Sequence, residues 1–404
     1  MRVPALLVVL VWSSVFGTIG IIFATGAYAY LLQEKWDVEE PQVRSDNTIS
    51  ATKWFSYILF TLGFIACFLT IALRKQMQLA IACIKASSRA VARMPLVLVF
   101  PIFQATGFAI FLAVWIYYAV HLASMGEVKV HNYNLVSTRT YEFTAFTQNS
   151  GFFLLFCLFW TTQFIFALGE IVLAMSFAKW YLTRDKRQVG SSTICTCIAR
   201  AIRFHTGTAA FGSLFIGIID LFRAIIAYIQ QQTKVLVNNE VASAFLCCCQ
   251  CCILCFEKFL AFLNKHAYIQ TAIFGTPFCR SAREAFALIV RNAGRIGAIS
   301  YVSSVVLFVG KLFISCLTAS VAYMYIDSEM GTDLYSLVGP TFIIFCMAYF
   351  VGDMFLHIFD VSTETILQCF VADEEMMFDR DQSYADKDLR DWLSVYEENE
   401  RKII

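Results

Sequence analysis

Four ionisable residues recur at helical spacing inside the last apolar run of this 404-residue chain. Asp353, His357, Asp360 and Glu364 are separated by four, three and four positions, so they share one face of a helix. An imidazole between carboxylates could pass protons along that face, because it titrates near neutral pH. The stripe predicts either a proton relay or a polar seam between packed helices, and Glu364 could instead lie among lipid headgroups.

Further charges interrupt other apolar runs, where each costs roughly 2.5–3.5 kcal/mol on insertion scales and therefore needs a role. Asp220 and Arg223 are three residues apart and are expected to form an ion pair on one helix face. Glu170 and these two residues are candidates for moving charge or protons. Glu257 is a candidate for a proton or substrate contact. We expect Lys311 to pair with one of these acids.

The elements that carry these residues are apolar runs as long as a bilayer is thick. The chain is 59% hydrophobic and 15% charged, and about 20 apolar residues cross a hydrocarbon core as a helix. The runs lack the alternation of barrel strands, so they predict transmembrane helices. The first run is too long for the core of a signal peptide. Seven runs are clear from inspection: 3–32, 54–73, 95–122, 151–178, 206–230, 296–326 and 337–369.

Loop charge predicts the orientation of these spans. Loops 74–93 and 179–205 are rich in Lys and Arg and are expected in the cytosol, whereas 33–53, 123–149 and 327–336 are expected outside. The basic residues 279–295 also belong inside, which requires one more crossing after the fifth run. The best candidate is 241–274, with a re-entrant or interfacial helix as the alternative. The prediction is an all-α, polytopic membrane protein with about eight transmembrane helices and both termini cytosolic.

The sequence divides into a transmembrane domain, 1–370, and an acidic tail, 371–404, expected to be a mobile or loosely helical cytosolic segment. Stretches 74–94 and 281–295 predict amphipathic helices whose basic side chains face anionic headgroups. The net charge of +1, without a basic cluster rich in aromatics, argues against nucleic acid. No phosphate-binding glycine loop occurs, so an ATP-driven pump and a nucleotide cofactor are not expected.

Six of the fifteen cysteines lie between Cys247 and Cys255. Adjacent cysteines in a membrane helix do not suit disulfides. The pairs Cys248/Cys251, Cys249/Cys252 and Cys252/Cys255 have the spacing of zinc ligands, but no second ligand pair follows them. Small packing residues are the simplest interpretation, with S-acylation or a metal as alternatives. Cys195 and Cys197 lie in a basic loop and could be acylated.

Several distinctive stretches resemble one known family. They are TRDKR at 183–187, RFHTGTAAFGS at 203–213, the run from CCILCFEKF to ALIVRN at 251–292, and LFVGKL at 307–312. The chain resembles the choline transporter-like family of solute carriers over roughly 1–370, most strongly over 180–315.

The resemblance implies a ten-helix protein with both ends in the cytosol. The family's first helix, large extracellular domain and second helix have no counterpart here, which leaves the eight crossings counted above. We therefore expect a fragment or shortened paralogue. The implied function is secondary transport of choline or a related amine such as ethanolamine by alternating access, with exchange against protons as a further expectation. A non-transporting membrane scaffold or regulator, or an inactive truncated paralogue, is the alternative.

The resemblance implies a plasma-membrane location, with internal membranes left open, and surrounding lipids as partners. An enzyme is not expected, because no catalytic constellation occurs.

Choline is a quaternary ammonium ion, which aromatic faces bind with about 0.5–2 kcal/mol per ring. Trp160 lies near the middle of its run, next to a polar patch that ends at Gln163, where some relatives carry an acid. Trp115 and Tyr118 lie nearer a membrane interface, where the aromatic belt explains them equally well. These four residues and Glu257 are the candidate substrate contacts, and core packing is the alternative for Trp160.

Overall fold

A computed structural model describes residues 3–38, 46–72, 74–133, 136–236, 240–330, 337–376, 384–386 and 389. Within these ranges the chain forms eleven α-helices and one β-hairpin. The helices are α1 Val3–Val38, α2 Asp46–Ala72, α3 Arg74–Arg93, α4 Phe100–Ser124, α5 Ala145–Leu182, α6 Thr193–Arg200, α7 Thr206–Leu236, α8 Glu240–Phe274, α9 Phe278–Arg291, α10 Ala293–Met330 and α11 Val338–Met376. Short 3-10 turns cover Pro95–Val99 and Lys186–Gln188, and a π-helical turn, Ala201–His205, joins α6 to α7.

Long apolar helices confirm the predicted fold class, and the protein is an integral, multi-pass membrane protein. In the described part of the chain seven segments are long and apolar enough to cross a bilayer. They are Val15–Asp37, Thr48–Ala72, Pro95–Ser124, Ala145–Leu182, Thr193–Gln231, Ala293–Glu329 and Val338–Glu375. The predicted eighth segment is a continuous 35-residue helix, α8, about 52 Å long. Its passage through the membrane, and the cytosolic side of both termini, stay predictions.

The external loop expected at 123–149 contains an element that the sequence reading missed. Strands β1 Glu127–Tyr133 and β2 Val136–Glu142 pair antiparallel, from Glu127 opposite Glu142 to Tyr133 opposite Val136. The composition of both segments nevertheless favours strands, because they are rich in Val, Thr and Tyr.

Residues 91–291 form one compact unit built around α5, α7 and α8. Helix α4 packs on α5, and α9 packs on α8. Gly275 ends α8 with a φ of +69°, a conformation that side chains disfavour, and Pro277 precedes the start of α9. The Thr271 hydroxyl then donates to Ser281 Oγ at 2.9 Å, which ties the two helices across the turn.

Residues 1–90 and 292–404 form the second unit, in which α1 pairs with α2 and α10 pairs with α11. Helix α3 buries its apolar face, including Leu79, Cys83 and Ala86. The hydroxyls of Ser87 and Thr363 lie 3.0 Å apart, so α3 contacts α11. Of the two stretches predicted as amphipathic helices, 74–94 corresponds to α3, and 281–295 is divided between α9, which ends at Arg291, and the start of α10. That their basic side chains face lipid headgroups stays a prediction.

Beyond the end of α11, the structure describes residues 384–386 and Leu389 of the acidic tail, which belong to this unit. The Tyr384 amide donates to Asp373 Oδ2 at 3.0 Å. Asp386 forms an ion pair with Arg89 of α3 at 2.9 Å, and Leu389 is buried. Tyr384 and Asp386 are thus held by specific contacts with the end of α11 and with α3.

Candidate functional site

Trp160 lies at the contact between α5 and α7. Its indole Nε1 donates to the carbonyl of Ala210 at 3.1 Å, and its ring centroid lies 5.6 Å from that of Phe156. A Cβ added at Gly217 would lie 2.9 Å from Trp160 Cα, so only glycine allows the two backbones to approach so closely. The side chain is half-buried, which leaves part of the ring accessible.

One turn along α5, Gln163 reaches the same neighbouring helix. Its amide Nε2 donates to Asp220 Oδ2 at 3.0 Å. The Asp220 side chain is only 8% exposed, so this amide supplies one of the partners that a buried carboxylate requires.

Arg223 joins this pair to α8. Its Nη1 donates to both carboxylate oxygens of Glu257, at 2.8 and 3.1 Å, and its Nη2 lies 3.6 Å from Asp220 Oδ1. The predicted ion pair between Asp220 and Arg223 is therefore present. The shorter contact, however, is with Glu257, 34 residues further along the chain.

We refer to Trp160, Gln163, Asp220, Arg223 and Glu257 as the mid-helix cluster. Each of its members lies close to the centre of its own helix, α5, α7 or α8. Its two carboxylates and one guanidinium have a formal net charge of −1. Trp160 precedes Gln163 by one turn of α5, and an aromatic ring together with carboxylates is a combination that can bind an organic cation.

The other two aromatic residues predicted to contact substrate, Trp115 and Tyr118, make their contacts outside this cluster. Trp115 Nε1 donates to the carbonyl of Leu154 at 2.8 Å, so the side chain fastens α4 to α5. Tyr118 is 58% exposed, and its ring contacts that of Tyr117. Tyr118 lies nearer the C-terminal end of α4, as the aromatic-belt alternative requires, whereas Trp115 lies closer to the middle of that helix.

Glu170 lies further along α5, also outside the cluster. It follows Gly169, where an added Cβ would lie 2.5 Å from the side chain of Gln104 on α4. Its carboxylate interacts electrostatically with the hydroxyl of Tyr268, which is 2% exposed.

The predicted stripe on α11 lies in the other unit. Lys311 of α10 forms an ion pair with Asp353, rather than with the acids of α5, α7 or α8. The side chains of His357 and Asp360 are partly buried, and Glu364 is 5% exposed. Exposure therefore decreases along the stripe, from Asp353, whose side chain is 52% exposed, to Glu364.

Two further contacts involve residues of the distinctive stretches 183–187, 203–213 and 251–292. Lys186, within TRDKR, donates from Nζ to the carbonyls of Trp180, at 3.0 Å, and Tyr181. The same ammonium group lies 5.0 Å and 5.4 Å from the centroids of these two rings, so it caps the end of α5. Asn264 donates to the carbonyl of Gly212 at 2.8 Å, a buried contact that the sequence reading did not single out.

The cysteine cluster faces away from the helix contacts. Cys248, Cys251, Cys252 and Cys255 are exposed, and Cys249 is intermediate. Packing against the part of the chain that the structure describes therefore does not account for most of the cluster, and the Cys247 side chain lies outside that part.

The comparisons with known proteins agree with the motifs. A family described as plasma-membrane choline transporter matches residues 57–375. The chain is 32% identical to choline transporter-like protein 2 of Danio rerio, over 80% of this chain and 52% of that protein. It is 30% identical to choline transporter-like protein 1 of Caenorhabditis briggsae, over 91% and 51%. It is 32% identical to choline transporter-like protein 1 of Rattus norvegicus, over 83% and 50%.

The chain spans about half the length of the curated relatives it matches. The matched region nevertheless contains every member of the mid-helix cluster and of the α11 stripe. The resemblance inferred from the motifs is confirmed: this chain belongs to the choline transporter family.

Proposed function

We propose that the protein is a secondary transporter that carries choline, or a related amine such as ethanolamine, by alternating access. Membership of the choline transporter family supports a choline transporter role. The observation that carries the proposal further is the mid-helix cluster, because it combines an aromatic ring with an excess negative charge near the centres of three helices. The family description also favours residence in the plasma membrane.

The chemistry of the cluster suits a quaternary ammonium ion. Choline has no N–H group, so its charge is stabilised by aromatic faces and by carboxylates that need not accept a hydrogen bond from it. Glu257 and Asp220 share a single guanidinium, so their combined charge is not cancelled. The hydroxyl of choline would find the Gln163 amide one turn from Trp160.

Exchange against protons is part of the proposal. Glu257 is the carboxylate at the α8 end of the chain of contacts that runs from Gln163 through Asp220 and Arg223, and its side chain is 21% exposed. We expect it to be the group that exchanges a proton or contacts the substrate. The α11 stripe offers a second set of groups, in which His357 lies between Asp353 and Asp360. Protonation of a carboxylate would lower the affinity for a cation, which is the coupling that exchange requires.

Uptake of labelled choline into reconstituted vesicles, with and without an outward proton gradient, tests the proposal. We expect saturable uptake that the gradient accelerates. Replacing Trp160 by Ala should weaken apparent affinity by about 2- to 30-fold, the range of one cation–π contact. Trp54→Ala is the matched control, because Trp54 is 68% exposed on α2.

Correctly folded protein that gives no uptake above empty vesicles would contradict the transporter proposal and favour a non-transporting scaffold. Uptake that is equal with and without the proton gradient would contradict proton exchange but not choline transport. Competition by ethanolamine would extend the substrate class beyond choline.

A further inference from the structure

A groove opens along the surface of the unit formed by residues 91–291, and none of its lining residues belongs to the mid-helix cluster. Helices α4, α5 and α6 and the π-helical turn form its walls, and its volume is about 440 Å³. Its lining includes Phe103 and Gly107 of α4, Leu168 of α5, and Ile198 and Ile202 beside the turn. Phe103 is 69% exposed and Ile202 is 53% exposed, so the groove is open at the surface.

The groove is almost entirely apolar. Gln104 is the one amide side chain among the residues that line it, and its Nε2 already donates to the carbonyl of Ile165, at 3.3 Å. A polar substrate would find no further side-chain amide or charge there. A hydrocarbon chain would meet the apolar surface that it prefers.

The length of the groove matches one leaflet of a bilayer. Its wall runs from Leu96 in the 3-10 turn to Gly107 in α4, a rise of roughly 18 Å. One leaflet is about half of a hydrocarbon core about 30 Å thick, so the groove is long enough for one acyl chain of a phospholipid.

The segment that supplies part of the lining is basic. Arg200 and Arg203 belong to the segment that supplies Ile198 and Ile202, and both are exposed. Neither forms an ion pair with a residue that the structure describes, and the Arg203 guanidinium lies 5.4 Å from the Phe204 ring centroid. The connection from 183 to 205 carries further basic residues and one acid, Asp185.

We infer that this groove binds an anionic phospholipid, with one acyl chain along α4 and α5 and its phosphate group at Arg200 and Arg203. Basic pockets beside transmembrane helices bind anionic headgroups, and each Arg near a membrane surface contributes about a fivefold preference. The groove shares no lining residue with the mid-helix cluster, so the inference does not depend on transport.

Native mass spectrometry of the delipidated full chain, with phosphatidylglycerol or phosphatidylcholine added in detergent, tests the site. We expect one phosphatidylglycerol to be retained per chain in preference to phosphatidylcholine. Arg200→Gln and Arg203→Gln should each reduce that preference about fivefold. Arg283→Gln on α9 removes the same charge from an exposed position outside the groove, and should leave the preference unchanged.

A second variant tests the groove itself. A Cβ at Gly107 would meet nothing within 4 Å, so Gly107→Leu can fill the groove without displacing a neighbour. It should reduce retention of both lipids, whereas the arginine variants remove only the preference. Equal retention of the two lipids by the unmodified chain, or an equal loss in Arg283→Gln, would overturn the inference. Retention unaffected by Gly107→Leu would also overturn it.

Discussion

At the scale of single residues, the contact between Trp160 and Gly217 sets the spacing of α5 and α7. Gly217 is buried, and an added Cβ would lie 2.9 Å from Trp160 Cα and 3.1 Å from its N, both backbone atoms. Backbone atoms cannot rotate aside as a side chain can, so the helices themselves would have to separate. The hydrogen bonds from Trp160 to Ala210 and from Gln163 to Asp220 would then be lengthened or lost.

Gly217→Ala should therefore destabilise the protein by about 1–3 kcal/mol, the usual cost of overpacking. Gly207→Ala is the matched control on the same helix, because a Cβ there meets nothing within 4 Å. That variant should be neutral or stabilising by about 0.5–1 kcal/mol, since alanine favours helix. Thermal unfolding in detergent measures both. Equal stability of the two variants would show that α5 and α7 do not meet at this point.

At the scale of elements, the burial of α3 determines the chemistry of its cysteine. The Cys83 side chain is fully buried, and this burial raises the pKa of its thiol to about 12. Because the thiolate is the reactive form, both effects oppose alkylation. Cys279 begins α9 with an exposed side chain and provides a comparison in the same molecule.

Iodoacetamide at pH 7.5 should therefore modify Cys279 and leave Cys83 unmodified, as read by peptide mass spectrometry. After unfolding in hot dodecyl sulfate, both thiols should react. Equal modification of the two in the folded protein would contradict the packing of α3.

The sequence predicts helices far better than it predicts their partners. Hydropathy alone placed spans close to α4, α5, α7 and α10, because a membrane imposes both apolar composition and length on each. The pairing of Arg223 with Glu257 depends on which helices are neighbours, and no local pattern encodes that. The hairpin was missed because its two strands are short and lie in a segment without an apolar face.

At the scale of the whole molecule, most candidate residues fall into two separate groups, and Trp115, Tyr118 and Glu170 belong to neither. The mid-helix cluster belongs to the unit formed by residues 91–291, and the α11 stripe belongs to the other unit. Charge and aromatic content allowed the candidates to be chosen from the sequence. Their division into one candidate cation site and one stripe of ionisable residues required the fold, since Lys311 pairs with Asp353 rather than with an acid of the cluster.

The central claim is that the mid-helix cluster binds a quaternary ammonium ion through its excess negative charge. The most direct test is equilibrium binding of labelled choline to the purified chain and to Glu257→Gln. This substitution removes the excess charge, and because the ion pair is partly exposed we expect a loss of about 1–2 kcal/mol, a roughly 5- to 30-fold higher Kd. Glu284→Gln on α9 is the matched control, because Glu284 pairs locally with Arg280. Weaker binding in Glu257→Gln alone is the predicted result, and unchanged choline affinity in a correctly folded Glu257→Gln protein would contradict the account.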